Sequence, residues 1–175
     1  MTELRQVSAE VFVASQDHFH LIRHDLERLK QFALASPRGR ARICAHKHVD
    51  ETLHEMMIVL SRQSYVRPHR HWGKSESLHL LEGELDFLLF GDSGELEQRL
   101  ELGPFASGKP FYHHLSTPKY HSLLVRSELA VLHETTQGPF DPNHTEQAAW
   151  APAESAVAEG LAWLSGLQLS AIGTK

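Results

Sequence analysis

The sequence has a single cysteine, no long apolar run and no excess of basic residues. One cysteine cannot form an intramolecular disulfide, which is typical of a reducing compartment. No segment approaches the roughly 18 apolar residues of a membrane-spanning helix, and the first residues lack a signal-peptide pattern. The formal net charge of −5 argues against a nucleic-acid-binding surface. We therefore expect a cytoplasmic protein that neither inserts into a membrane nor binds nucleic acid.

The 175 residues suffice for one domain, and their pattern changes from helical to β along the chain. After Asp17, apolar residues recur at steps of three and four, which predicts a helix capped by Asp17 and ended by the Ser36–Gly39 turn. Short alternating strands follow, with a hairpin turn at Gly91–Gly94. A last helix is predicted over 152–167. This order of elements predicts a β-sandwich or barrel.

Histidine is the residue in excess, with 14 in the chain. Two of them, His69 and His71, would project from the same face of a strand because side chains alternate. Glu76 follows a short turn and can return as a third ligand. His121 opens a later alternating strand and is the best candidate for a fourth. These four side chains predict a metal site.

Three imidazoles and one carboxylate suit a single divalent transition metal ion, with iron, zinc, manganese, nickel and cobalt all compatible. The set contains no thiolate, which excludes a structural zinc site of the cysteine type. Four protein ligands leave one or two positions open on a five- or six-coordinate ion. Open positions are what catalysis requires.

The spacing His69-x-His71, four residues, Glu76, six residues, Gly83 resembles the first cupin motif, and His121 stands where the second motif supplies its histidine. The segments SPRGRAR, YVRPHRHWGKSES, LLEGELDFLLFGDSGEL, ETTQGPF and WAPAE, in this order, resemble the WbuC family of cupin-fold metalloproteins over residues 32–154. The resemblance implies a mostly β cupin jelly-roll barrel with a metal inside, an N-terminal helix and a C-terminal helical segment.

The resemblance also suggests how the chain is organised and where it works. We expect a strand and helix extension at 1–40, the barrel at 41–140, and a C-terminal loop and helix packed on it at 141–175. The WbuC family is associated with surface polysaccharide (O-antigen and lipopolysaccharide) synthesis. Fold-level analogy suggests a homodimer.

Three functions are compatible with this pattern. The first is a metal-dependent isomerase or epimerase acting on a small polar molecule such as a sugar or nucleotide sugar. The second is an Fe(II) dioxygenase-type oxidoreductase. The third is a non-catalytic, metal-containing cupin that binds a sugar.

Further residues are candidates for the pocket. Glu134, which the resemblance places near the metal, is a candidate general base; the alternative is a rim residue that holds a loop. Lys74 and Arg67 flank the ligand strand and can reach a phosphate or carboxylate of a substrate, or lie in solvent. Tyr65 shares the parity of the strand histidines and is predicted to line the cavity, with simple packing as the alternative.

Overall fold

Twelve strands and two α-helices make up the computed structural model, which describes residues 3–168. The helices are α1 (Arg23–Ala35) and α2 (Val157–Gly166). The strands are β1 (Leu4–Gln6), β2 (Val11–Ala14), β3 (Arg40–Cys44), β4 (Leu53–Ser61), β5 (His69–His71), β6 (Glu76–Glu82), β7 (Leu85–Phe90), β8 (Leu96–Leu102), β9 (Tyr112–Leu115), β10 (Tyr120–Val125), β11 (Leu129–Gln137) and β12 (Thr145–Gln147). The predicted mostly β architecture with two helices is confirmed.

The strands form two sheets. One has seven strands in the order β1-β2-β3-β4-β11-β6-β9, and the other has five in the order β12-β5-β10-β7-β8. All pairings are antiparallel except that of β2 with β3. The N-terminal strands extend the first sheet and β12 extends the second, so both flanking segments share sheets with residues 41–140.

The inner faces of the two sheets enclose an apolar core at one end of the barrel. Its buried side chains alternate along the strands, as expected for sheets with one covered face. They come from β4, β6, β7, β8, β10 and β11 and include Leu60, Leu78, Leu85, Phe87, Leu102, Leu123, Val125 and Leu132. The other end of the barrel is left open for a cavity.

Helix α1 covers the outer face of the seven-stranded sheet, where Leu29 and Ala33 pack against Ile43 on β3. It begins later than predicted, and the assignment of Asp17 as its cap is wrong. Asp25 supplies the acceptor instead, taking a hydrogen bond from the Ile22 backbone N–H at 3.1 Å. A carboxylate in the first turn satisfies an otherwise unpaired amide there and favours the helix dipole.

Helix α2 covers the outer face of the five-stranded sheet and is shorter than the predicted 152–167. Leu164 is fully buried there against the side chains of β7 and β10. Neither helix within residues 3–168 has both the length and the apolar character that crossing a bilayer requires.

Candidate metal centre

A cavity of about 610 Å³ opens between the two sheets. Its apolar floor is the top of the core, formed by Leu60, Leu78, Phe87, Leu123 and Leu132. Its walls carry histidines, glutamates and arginines. This volume is in the range of small-molecule sites, and a few polar groups over an apolar floor are typical of them.

Three histidines meet on the five-stranded sheet. His69 lies directly opposite His121 in the β5–β10 pairing, and His71 is the next residue of β5 on the same face. Their ligating nitrogens all lie within 4.8 Å of one another. Strand pairing therefore brings together side chains that are about fifty residues apart in the sequence.

Hydrogen bonds fix the orientation of each ring. Nδ1 of His69 lies 2.9 Å from the Arg67 carbonyl oxygen, and Nδ1 of His121 lies 3.0 Å from that of Lys119. A carbonyl only accepts, so each Nδ1 carries a hydrogen, which makes Nε2 the ring nitrogen that is left for a metal ion. Nδ1 of His71 lies 3.0 Å from the Thr145 hydroxyl. Such outer hydrogen bonds are characteristic of metal-binding histidines, because they set both tautomer and ring position.

Glu76 reaches the same point from the seven-stranded sheet. Its Oε1 lies 2.8 Å from Nε2 of His121, and its Oε2 lies 3.5 Å from Nε2 of His71. Burial alone would raise the pKa of Glu76, but the neighbouring His121 outweighs it and holds the pKa at about 2. Burial, followed by the charge of His121, lowers the pKa of His69 to about 3. The carboxylate is thus ionised and His69 neutral at physiological pH.

This donor set fits one divalent transition metal ion. Three imidazole Nε2 atoms and one ionised carboxylate converge from two sheets, and all four residues are partly or fully buried. The structure brings together all four of the predicted ligands.

Glu134 occupies a different part of the same cavity. It lies on β11, opposite Leu78 of β6, and faces inward. Burial raises its pKa to about 7, and the nearby negative charge of Glu76 acts in the same direction. A carboxyl with such a pKa exchanges its proton near neutral pH, which is the property of a general acid–base group.

The expectation that Tyr65 lines the cavity is wrong. Strand β5 begins only at His69, so the alternation that relates Tyr65 to His69 does not extend back through Pro68. The ring is buried in the outer cluster under α2, against Gly160. Its hydroxyl donates to the Pro152 carbonyl at 2.9 Å, which makes Tyr65 a packing residue.

Lys74 and Arg67 differ in their placement. The Nζ of Lys74 donates to the Pro139 carbonyl at 2.6 Å, and Lys74 is not among the cavity-lining residues. This hydrogen bond ties Lys74 to the loop at the cavity mouth, and its contact with a substrate phosphate or carboxylate stays a prediction. Arg67 does line the cavity, with Nη2 donating to the Ala148 carbonyl at 2.7 Å.

Two further cavity residues, His113 and Arg42, could not be recognised from the sequence. His113 on β9 packs its ring 4.1 Å from that of Phe87, and within residues 3–168 its buried Nε2 has no hydrogen-bond partner. Burial lowers the pKa of His113. His113 projects from the same face of β9 as Leu115. Because His114 follows it directly, the sequence does not show which of the two histidines faces inward.

Solved structures similar to this chain show the fold. Protein SO0799 from Shewanella oneidensis is 12% identical with a TM-score of 0.53, over 77% of this chain and 90% of that one. CapF, crystallised with an inhibitor, is 15% identical with a TM-score of 0.52, over 64% and 32% of the two chains. A sugar phosphate isomerase from a cupin superfamily, from Silicibacter pomeroyi, is 15% identical with a TM-score of 0.40, over 50% and 52%. The chain has a cupin fold.

Sequence comparisons say less about activity. Residues 21–102 match a family described as a domain of unknown function, DUF6016. No curated protein matches the sequence. The structural similarity confirms the predicted cupin fold, whereas membership of the WbuC family stays a prediction.

Proposed function

We propose that this cupin is a metal-dependent enzyme that moves a proton on a small, sugar-like molecule, in an isomerase or epimerase reaction. The observation that carries the proposal is the presence, in one cavity, of a ligand set for a metal and a separate, half-buried carboxyl. A bound divalent ion would polarise a carbonyl or hydroxyl oxygen of the substrate. The ligands would be His69, His71, His121 and Glu76.

Glu134 would perform the proton transfer. As a carboxylate it accepts a proton from the carbon next to the substrate carbonyl, and as a carboxylic acid it returns the proton to the product. Burial raises the pKa of Glu134 toward neutrality, which favours both the uptake and the return of the proton that this cycle needs. The reaction transfers no electrons to or from the protein and requires no second reactant. The free Nε2 of His113 is available to hydrogen-bond the substrate.

The biological setting is also a proposal. The WbuC resemblance supports a role in surface polysaccharide synthesis, with a sugar or nucleotide sugar as substrate.

We further propose that the protein is a cytoplasmic homodimer. Cys44, a free and buried cysteine, is compatible with a reducing compartment. Light scattering would measure the oligomeric state, and elemental mass spectrometry of the untagged protein would identify the metal.

The test is proton exchange with solvent. Metal-loaded protein is incubated in D₂O with a panel of aldoses, ketoses and their phosphates, and deuterium at the carbon next to the carbonyl is measured by NMR. We expect incorporation with the wild type and its loss in both His121→Ala and Glu134→Gln. Glu128→Gln, which removes an exposed loop carboxylate, is the matched control and should keep the exchange.

Other outcomes distinguish the alternative functions. Undiminished exchange in Glu134→Gln would refute the role of this carboxyl. Substrate-dependent oxygen uptake without exchange would favour the Fe(II) dioxygenase reading. Ligand binding without exchange or oxygen uptake would favour a non-catalytic sugar-binding cupin.

A further inference from the structure

The cavity wall carries four arginines, and only two of them are matched by carboxylates. Arg38 forms ion pairs with Glu10 and Glu154, and Arg40 forms one with Glu154. Both glutamates also line the cavity. Two arginines and two glutamates therefore neutralise one another at the rim.

Arg42 is different because no carboxylate within residues 3–168 lies at ion-pair distance from it. It is the middle residue of β3, paired with Ile58, and it faces the cavity like Arg40 because side chains alternate. Its guanidinium acts electrostatically on Glu134 and on Cys44. Its charge thus remains available inside the cavity.

Arg67, which directly precedes Pro68 and strand β5, adds a second unmatched charge to the cavity wall. One guanidinium nitrogen is bound to the Ala148 carbonyl, while its buried Nε has no partner among the described residues. Nor does Arg67 form an ion pair in that part of the chain. A buried donor without an acceptor is costly unless a ligand or water satisfies it.

The metal site strengthens this positive field. A divalent ion with three neutral imidazoles and the Glu76 carboxylate would keep one net positive charge. Even with Glu134 fully ionised, the charges of Arg42, Arg67 and the loaded metal site would leave the cavity positive. A positively charged cavity with an apolar floor favours anions, because the low-dielectric surroundings concentrate field lines.

We propose that the ligand of this cavity carries an anionic group, a carboxylate or a phosphate, and that the unmatched Arg42, together with Arg67, binds it. Guanidinium groups suit this task because their planar fork donates two parallel hydrogen bonds to such oxygens. The neutral, hydroxyl-bearing end of the ligand then lies toward the metal ligands and Glu134. The orientation of the ligand rests on the proposed function, whereas its negative charge does not.

The test compares sugars that differ in charge alone. Isothermal titration calorimetry of the metal-loaded protein would use D-glucose, D-glucuronate and D-glucose 6-phosphate at millimolar concentration. We expect at least one of the two anionic sugars to bind about tenfold or more tightly than glucose, since a charge-assisted hydrogen bond is worth that factor. Whichever anionic sugar binds identifies the group as carboxylate or phosphate.

Arg42→Gln should abolish this preference. The matched control is Arg23→Gln, which removes the same charge from an exposed position of α1 and should leave the preference intact. Binding of glucose as tight as that of the anionic sugars, no binding of either anionic sugar, or equal affinities in the two variants would overturn the inference.

A third variant separates this inference from the proposed function. His121→Ala removes a metal ligand and leaves Arg42 in place. An anion preference that persists in His121→Ala, while the wild type itself shows no proton exchange, would uphold the anion site and refute the enzyme. Proton exchange in the wild type, together with equal affinity for glucose and for both anionic sugars, would do the reverse.

Discussion

Replacing Glu134 with glutamine tests whether the structure gives this carboxyl its unusual proton affinity. Burial, with the help of Glu76, raises the pKa of Glu134 from 4.5 to about 7. Below pH 4.5, both the folded and the unfolded chain hold the proton, so the buried group costs little. As pH rises, the unfolded chain ionises first, and the folded state loses stability relative to it until about pH 7.

The size of the effect follows from this pKa. The full shift corresponds to about 3 kcal/mol, most of which develops between about pH 5 and pH 8. Because Glu134 is only partly buried in an open cavity, we expect roughly 1–2 kcal/mol of it to be measurable. Glutamine cannot ionise, so Glu134→Gln should stabilise the protein by this amount more at pH 8 than at pH 5.

Urea unfolding at the two pH values measures this difference directly. A chelator is present throughout, because a bound cation would also favour the ionised carboxylate. Glu128→Gln serves as the control and should show the same change in unfolding free energy at both pH values. A Glu134→Gln effect that does not vary with pH would refute the raised pKa and, with it, the argument for Glu134 as a proton carrier.

Two further substitutions test the support of the site and of α2. Thr145→Val removes the hydroxyl that orients His71 and should weaken metal binding by about tenfold or more in a competition titration with a chromogenic chelator, without loss of fold; unchanged affinity would contradict that role. Gly160→Ala places a methyl group 2.5 Å from ring atoms of Tyr65 and should lower the unfolding free energy by about 1–3 kcal/mol. Gly166→Ala, in open space on the same helix, should not destabilise, and equal effects of the two glycine substitutions would refute the packing argument.

The metal ligands were predictable because their relationship is largely local. His69 and His71 share a face by strand alternation, and Glu76 lies only one turn away. His121 could not be predicted from local spacing, since its proximity to His69 depends on the pairing of β5 with β10. The motif spacing supplied that pairing indirectly, through the resemblance to cupins.

Tyr65 and Asp17 show where periodicity fails. Alternation holds only as far as a strand is hydrogen-bonded, and β5 has three residues. Pro68 lacks a backbone N–H and cannot continue the ladder as a donor, so the alternation does not extend back to Tyr65, which packs under α2. At the start of α1, a second carboxylate, Asp25, lay within reach of the first unpaired amide, and the sequence alone did not favour it over Asp17.

The remaining site residues depend on register between strands that are distant in the chain. On the inner face of the seven-stranded sheet, Met56, Glu134, Leu78 and His113 stand in one row, because β4 pairs with β11, β11 with β6, and β6 with β9. A shift of one residue in the β6–β9 pairing would turn His113 outward and bring His114 in. Leu78 of this row belongs to the core and holds the register. The packing that stabilises the barrel therefore also determines which polar side chains face the metal ligands, and that information is carried by the whole sheet rather than by any one segment.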